Sequence, residues 1–325
     1  MNNLILSIII PVYNVEQYIA ECLDSVYMQD IDESMYEVIC VNDASTDKSQ
    51  SIVEAYGQKH KNLVLINHPR NLKLGTARNT GIAVAKGKYV WHVDSDDYIY
   101  PNCLKELTRT CLELDLDVLE FGYVGAHNKP IGDNEPRRSS NVISGQEYIR
   151  KYFLSNFGAI CPIWRRVYKR VFLLSNGIVS PPINMGEDQP YAIQAFCLAQ
   201  KVSYVNKNWY YHRINAHSLV GDNKHDWPAF KWYEASFNCA ENLNKVFLKI
   251  KESVPVDIRI AIANMIKYNI VLIHYYKNYM TNDKYLAYWR ICRKNVWRNR
   301  FVFKYLNCHF SMLYIRKIVS ARWKH

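Results

Sequence analysis

Four residues, Asp94-Ser95-Asp96-Asp97, close the apolar run Tyr89-Val90-Trp91-His92-Val93. The run reads as a buried strand. Successive strand side chains point to opposite faces, so Asp94 and Asp96 are expected on the same side of its carboxyl end. Like charges so placed are costly unless a hard divalent cation neutralises them. Carboxylates, water and phosphate oxygens are the ligands that Mg²⁺ or Mn²⁺ prefers. The pattern points to metal-held phosphate, and its plain alternative is a solvated turn or a helix N-terminus. Spacing disfavours two other chemistries. An EF-hand loop begun at Asp94 needs Gly and Glu where Ile99 and Lys105 stand. A phosphatase with an aspartyl nucleophile wants Thr or Val where Tyr98 stands.

The elements that must position these carboxylates are legible as alternating patterns. Short apolar runs bounded by turn residues recur at Leu6 to Val12, Glu37 to Val41, Leu63 to Ile66, Tyr89 to Val93 and Val118 to Phe121. Between them, Tyr18, Ile19, Cys22, Leu23 and Val26 follow helical spacing, as do Ile52, Val53 and Tyr56, while Ala77 to Ala85 is rich in helix formers. Strand and helix in alternation predict a mostly parallel sheet covered on both faces. Ligands of such sheets bind beyond the carboxyl ends of the strands, where the loops Asn14 to Glu16 and Asn42 to Asp47 join the acidic motif. Gly125 to Ser144 reads as an exposed excursion, helical spacing returns at Tyr148 to Phe153, and the chain after Asp226 reads as almost wholly helical.

A chain of 325 residues has room for one large α/β domain and an appendage. Its nine cysteines are scattered, without zinc spacing, as reduced thiols would be. Leu4 to Val12 resembles the apolar part of a signal peptide, but Pro11 interrupts it and no cationic residue precedes it, so a buried first strand is the better reading. No apolar run reaches the length of a spanning helix, because Lys267 and Asn269 break the best candidate. A cytoplasmic protein, peripheral on the cytoplasmic membrane face if attached at all, is expected. The net charge of +11 is confined to the tail: from residue 226 onward there are 18 Lys/Arg against 6 Asp/Glu.

Ser7 to Asn14, with Pro11 and Tyr13 at its end, then Asn42-Asp43-Ala44-Ser45-Thr46-Asp47, then Ala77-Arg78-Asn79-Thr80-Gly81, then Asp94 to Asp97 together resemble the family 2 glycosyltransferases in order and spacing. The resemblance is strong over residues 1 to about 105 and moderate over 160 to 220. It implies a GT-A nucleotide-diphospho-sugar transferase fold with a catalytic domain over 1–225, while residues 226–325, which hardly resemble the family, read from their own pattern as a basic, aromatic-rich helical region. It further implies donor contacts from Pro11, Tyr13, Asp43, Arg78, Asp94, Ser95 and Arg213. Asp43 can accept the N3–H of uracil or thymine, which favours a UDP-sugar, or it can serve only an Asx-turn. Arg78 can fork onto donor oxygens or be a surface helix charge. Asp96 is the expected direct ligand of Mn²⁺ or Mg²⁺, with Asp94 on ribose or metal-bound water and Asp97 orienting the pair. His212 is either a third ligand or a core residue. The family's usual Asp-Asp-Gly-Ser is replaced here by Asn42-Asp43-Ala44-Ser45, so the first carboxylate is missing.

Trp164 to Lys169 and Met185-Gly186-Glu187-Asp188-Gln189 resemble the family's acceptor-side segments. An inverting transfer needs a carboxylate to take the acceptor's proton, and Asp188 is the expected base with Glu187 as its alternate; otherwise the two are an acidic helix start. Tyr210-Tyr211-His212-Arg213, followed by Ser218, matches the segment that closes over the donor. In the tail, Lys284, Arg290, Arg293, Lys294, Arg298, Arg300 and Lys304 interleave with aromatics. Such a stretch serves as a packed helical subdomain with solvated cations, or as a surface for anionic lipid. Nucleic acid ranks last, since no nucleic-acid module is recognisable. The expected function is metal-dependent inverting transfer of a sugar from a nucleotide diphosphate to a saccharide or lipid-linked saccharide in surface polysaccharide synthesis. A nucleotide-sugar-binding or scaffold protein without turnover is the alternative.

Overall fold

The computed structural model describes residues 4–125, 141–153, 162–213 and 229–275. The chain divides into two compact units, residues 1–227 and 228–325. The first is built on β1 (Leu6–Val12), β2 (Tyr36–Asn42), β3 (Leu63–Asn67), β4 (Tyr89–His92), β5 (Tyr98–Ile99), β6 (Val118–Val124), β7 (Arg166–Lys169) and β8 (Val202–Tyr211). They form one sheet in the order β3-β2-β1-β4-β7-β6-β8-β5. Its helices are α1 (Ile19–Tyr27), α2 (Ser49–Lys59), α3 (Leu74–Val84), α4 (Leu104–Leu114), α5 (Gly145–Tyr152), α6 (Arg170–Ser175) and α7 (Asp188–Leu198).

The first four strands in space, β3, β2, β1 and β4, are parallel, and every residue of β1, β2 and β4 is buried. Burial on both faces explains why these runs are continuously apolar rather than alternating. Ile8, Ile10 and Trp91 join Ile19, Leu23 and Val26 of α1 in the main core, whereas Ile9 meets α3 at Gly81. Beyond β4 the sheet changes sense. Strand β7 is antiparallel to both β4 and β6, β6 and β8 are parallel, and β5 is an antiparallel edge strand. The expectation of a mostly parallel sheet thus holds for one half, and the other half is mixed. Strand β7 escapes sequence patterning because it is four residues long and begins with a buried arginine.

The second unit contains α8 (Ala229–Ile250) and α9 (Val256–Tyr275), packed on each other with Leu243, Phe247, Ile258, Ile262 and Ile266 buried. No helix among the described residues is long and apolar enough to cross a membrane. The cationic stretch Lys284 to Lys304, Ser218 and most of the Gly125 to Ser144 excursion lie outside the described residues.

Candidate active site

Strands β1, β2 and β4 end at one edge, and the loops there are fastened to each other before any ligand is considered. Asn14 accepts from Thr46 N–H at 2.8 Å and donates its own N–H to Ser45 Oγ at 3.2 Å. Asp47 accepts from Glu16 N–H at 2.9 Å, and Glu16 accepts in return from Lys48 N–H at 2.9 Å. Ser49 Oγ accepts from Val15 N–H at 2.8 Å. Asp47 also accepts from Ser49 N–H at 3.0 Å, fixing the start of α2. Two residues in this rim, Asn14 (φ 53°) and Ala44 (φ 61°), occupy the left-handed region. Asn42, which stands where the family has a carboxylate, is buried and interior to the fold. It donates to Asn67 and Gln50 and accepts from Ser45 N–H at 3.0 Å. Pro11 is buried in β1, while Tyr13 is 47% exposed at the rim.

Asp43 is 3% exposed, and its carboxylate organises the following loop. Oδ1 pairs with His68 Nδ1 at 2.7 Å and accepts from Leu72 N–H at 2.8 Å, while Oδ2 accepts from Lys73 N–H at 2.9 Å. His68 is held from its other side by Thr80, 3.0 Å from Nε2. These bonds leave Oδ2 one lone pair with no partner described, enough to take one N–H from a base. His68 and Thr80 were not singled out in the sequence, because nothing in spacing marks a histidine 25 residues from its carboxylate.

The acidic motif is a tight turn rather than a strand end. Strand β4 stops at His92, and Asp97 N–H donates to Asp94 O at 3.1 Å. The alternation expected through Asp96 therefore does not apply, because the chain has already turned. Asp97 is 1% exposed and faces β8. It accepts from Tyr210 OH at 2.6 Å and from Arg213 N–H at 2.8 Å, and lies 3.4 Å from His212 Nδ1. Burial pushes its carboxyl above the usual range, against the pull of His212 and Tyr210. Burial also lowers His212, but the hydrogen bond and charge of Asp97 outweigh it and the net direction is upward. Asp94 donates its own N–H to the Tyr210 hydroxyl oxygen at 3.1 Å, and Ser95 is buried within the turn. Arg213 donates Nε–H to Asp96 O at 2.9 Å and reaches Glu21 at 2.5 Å, resting between the rings of Tyr18 and Tyr98.

Arg78 ties this turn to the opposite wall. The reading of it as a surface helix charge is overturned: it is 1% exposed. Its Nη2 donates to Asp94 Oδ1 at 2.8 Å, and its Nη1 to Glu187 at 2.8 Å and Asp188 at 3.1 Å. The segment before Glu187 is laced to α3. Asn79 and Ser180 exchange two bonds of 2.8 Å, Leu74 N–H donates to Asn184 Oδ1 at 2.9 Å, and Gly75 N–H donates to Ile183 O at 3.1 Å. Only glycine fits at 75, since a Cβ there would fall 1.7 Å from Pro181 O. Gly186, at φ 82°, makes the final turn into Glu187. Asp188 then opens α7, where a carboxylate is favoured by the helix dipole.

The two acids differ in access. The side chain of Glu187 is 7% exposed and that of Asp188 is 23% exposed. Burial first, then the adjacent Asp188 charge, push Glu187 well above the usual carboxyl range, although Arg78 pulls the other way. Trp164 stacks on Tyr210 at 4.3 Å, while Arg165 and Arg166 turn inward to Glu120, so the segment expected on the acceptor side is largely interior.

The donor set suits a hard cation. Asp94 keeps Oδ2 beyond its bond to Arg78, and Asp96 stands in the same turn, half-buried. Mg²⁺ is commonly held by one or two carboxylates plus substrate phosphates, so a cage made of protein alone is not needed. Among the described residues no three His, Cys, Asp or Glu converge as such a cage. The fit is therefore to a cation shared with a phosphate-bearing ligand.

Comparison with known proteins agrees with this architecture. The family model described as glycosyl transferase family 2 matches residues 7–172. The chain is 32% identical over 221 residues to the uncharacterized glycosyltransferase EpsJ of Bacillus subtilis, covering 66% of this chain and 63% of that protein. It is 30% identical over 207 residues to the poly(ribitol-phosphate) beta-N-acetylglucosaminyltransferase TarS of Staphylococcus aureus, covering 63% of this chain and 35% of TarS. The matched region thus spans less than two thirds of either relative. Among solved structures, S. aureus TarS 1-349 in complex with UDP-GlcNAc is similar at a TM-score of 0.57 and 25% identity, over 83% of this chain and 82% of that one. The mannosyltransferase PcManGT of Pyrobaculum calidifontis in complex with GDP-Man and Mn²⁺ shares the fold at a TM-score of 0.53 and 16% identity, over 98% of this chain and 81% of that one.

Proposed function

The chain belongs to glycosyl transferase family 2, and from that premise we propose that it moves a sugar from a UDP-type donor to a saccharide or lipid-linked saccharide, with inversion and with Mn²⁺ or Mg²⁺. The observation that carries this reading is the Arg78 bridge, which brings Asp94 of the acidic turn and the Glu187–Asp188 pair to one guanidinium.

Asp188 is the base. It is the more accessible of the two acids, and its hydrogen bond to Arg78 orients the carboxylate while leaving it an oxygen for the acceptor hydroxyl. Glu187, buried and raised above the usual carboxyl range, is the alternate. Asp96 and Asp94 would hold the cation, whose chemistry is to neutralise charge on the departing diphosphate. Asp97 fixes the turn to β8, Arg213 buttresses it through Asp96 O, and His212 lies at its margin. Asp43, with one lone pair of Oδ2 left over from its protein partners, reads the base, and Tyr13 stands exposed at the rim after Pro11. The resemblance to TarS, with UDP-GlcNAc as that protein's ligand and poly(ribitol-phosphate) in its name, supports a nucleotide sugar as donor and a surface polymer as acceptor.

The deciding experiment measures nucleoside-diphosphate release from UDP-, dTDP- and GDP-sugars with Mn²⁺, Mg²⁺ or chelator, for wild type and Asp96→Ala. Metal-dependent release from one UDP-sugar, lost in the variant, is expected. If the protein shows neither release nor metal-dependent UDP binding, the reading fails. Binding without release would favour the scaffold alternative. For the tail from residue 226 we propose attachment to anionic lipid at the cytoplasmic membrane face, checked by flotation of the full chain with anionic liposomes at low salt.

A further inference from the structure

Beneath the Arg78 cluster lies a second set of polar groups that the reaction above leaves unused. His92, the last residue of β4, has its ring 5.9 Å from Tyr191 of α7 and 6.4 Å from Tyr168 of β7, and those two phenols are 5.4 Å apart. All three residues are at most 1% exposed. Both ring nitrogens of His92, the hydroxyls of Tyr168 and Tyr191, and Nε of Arg78 find no hydrogen-bond partner among the described residues. The three rings are contributed by two strands and a helix, yet they meet at one place, and the elements that carry His92 and Tyr191 lead into Asp94 and out of Asp188, both paired with Arg78.

Buried polar atoms are paired in nearly all proteins, either with protein groups or with ordered water. Leaving five of them dry in one spot would cost an amount comparable with the stability of a whole domain. A neutral imidazole offers one donor and one acceptor, each phenol one of both, and Arg78 Nε one donor, a set that suits water with its two to four partners. The floor is also joined to the site through the chain: His92 lies just before Asp94, Tyr191 N–H donates to Glu187 O at 3.3 Å, and Asp94 and Glu187 both pair with Arg78. We propose that His92, Tyr168 and Tyr191 hold ordered water beneath Arg78, and that this hydrated floor fixes the guanidinium that presents Asp188 to the acceptor. The three are positioning residues, and the inference rests on Asp188 as the base.

The test compares wild type with His92→Phe, Tyr191→Phe and the conservative His92→Asn, using diphosphate release from the UDP-sugar that the donor panel identifies. Both phenylalanine variants are expected to lower kcat on the order of 10-fold, less than a full ångström of misplacement costs, with donor KM within about twofold. Tm should not rise, and His92→Asn should recover much of the loss. Full kcat with a raised Tm, the behaviour of a dry core relieved of unpaired polar atoms, overturns the proposal. So does a parallel collapse of kcat and donor binding. Tyr191→Phe removes a single oxygen and keeps the test valid if His92→Phe fails to fold. A high-resolution experimental structure provides a readout independent of activity. Water density within hydrogen-bonding distance of His92 is expected, and its absence overturns the proposal even where Asp188→Asn has upheld the base.

Discussion

Two buried clusters of arginine and carboxylate belong to the same unit and differ in how far they open to solvent. At the carboxyl edge, one guanidinium, Arg78, faces the three carboxylates of Asp94, Glu187 and Asp188, two of whose side chains are 25% and 23% exposed. In the interior, Arg165 and Arg166 both pair with Glu120, at 3% exposure or less, and lean on the rings of Tyr123 and Phe196. The chemistry of the contacts is the same and the consequences differ. A sealed pair contributes to the uniqueness of the fold, and breaking it is strongly destabilising. An open cluster with excess negative charge keeps an affinity for protons and cations that its own arginine does not exhaust. What marks a site is thus the excess of carboxylate around one arginine and the opening, since buried charge is common to both.

The contrast can be broken from either side. Asp188→Asn is expected to lower sugar transfer by about 10² to 10⁴ while UDP affinity and Tm barely move. Unchanged transfer would put the base elsewhere. Glu120→Leu should do the reverse. It leaves two guanidinium groups buried beside an apolar side chain and is expected to cost about 3–5 kcal/mol in urea unfolding, with UDP affinity of the folded fraction intact. Loss of donor affinity there without loss of stability would show that the two clusters are not separate in function.

A smaller effect separates the clusters by pH. Glu187 binds its proton more tightly when folded than when unfolded, because burial and Asp188 raise it. The folded state therefore holds more protons above the ordinary carboxylate range, and stability contributed by that proton is lost as pH rises toward the native value. Glu187→Gln should make this decline shallower, by at most about 1.4 kcal/mol per pH unit. Asp97 is raised in the same sense and leaves a residual slope. Identical slopes in wild type and variant would mean that Glu187 is not the group responsible.

The sequence carried the edge of the site further than its depth. Strands β1, β2 and β4 announce themselves by apolar runs, because parallel strands buried on both faces admit little else, and β3 and β6 carry apolar runs as well. Strand β5, two residues long, and β8, whose polar Asn206-Lys207-Asn208 breaks the apolar pattern, give no such signal. Residue type alone marks Asp94, Asp96 and Asp188 as candidates. Their meeting did not follow from spacing, since Arg78 and Asp188 are 110 residues apart and are joined by the lacing of α3 to the segment before Glu187. Arg78 illustrates the gap most sharply. Its helical context fits an exposed charge, whereas Asp94, Glu187 and Asp188, all distant from it in the chain, close around it.

The rim formed by Asn14 to Glu16 and Ser45 to Ser49 is one object written in two places in the chain. Each loop supplies the hydrogen-bond partners of the other, so neither keeps its shape alone. Its freedom is lost during folding, before any donor arrives. Changing the donor range by altering one loop would therefore unpick the other, and the two are a single graft, to be exchanged together or left in place.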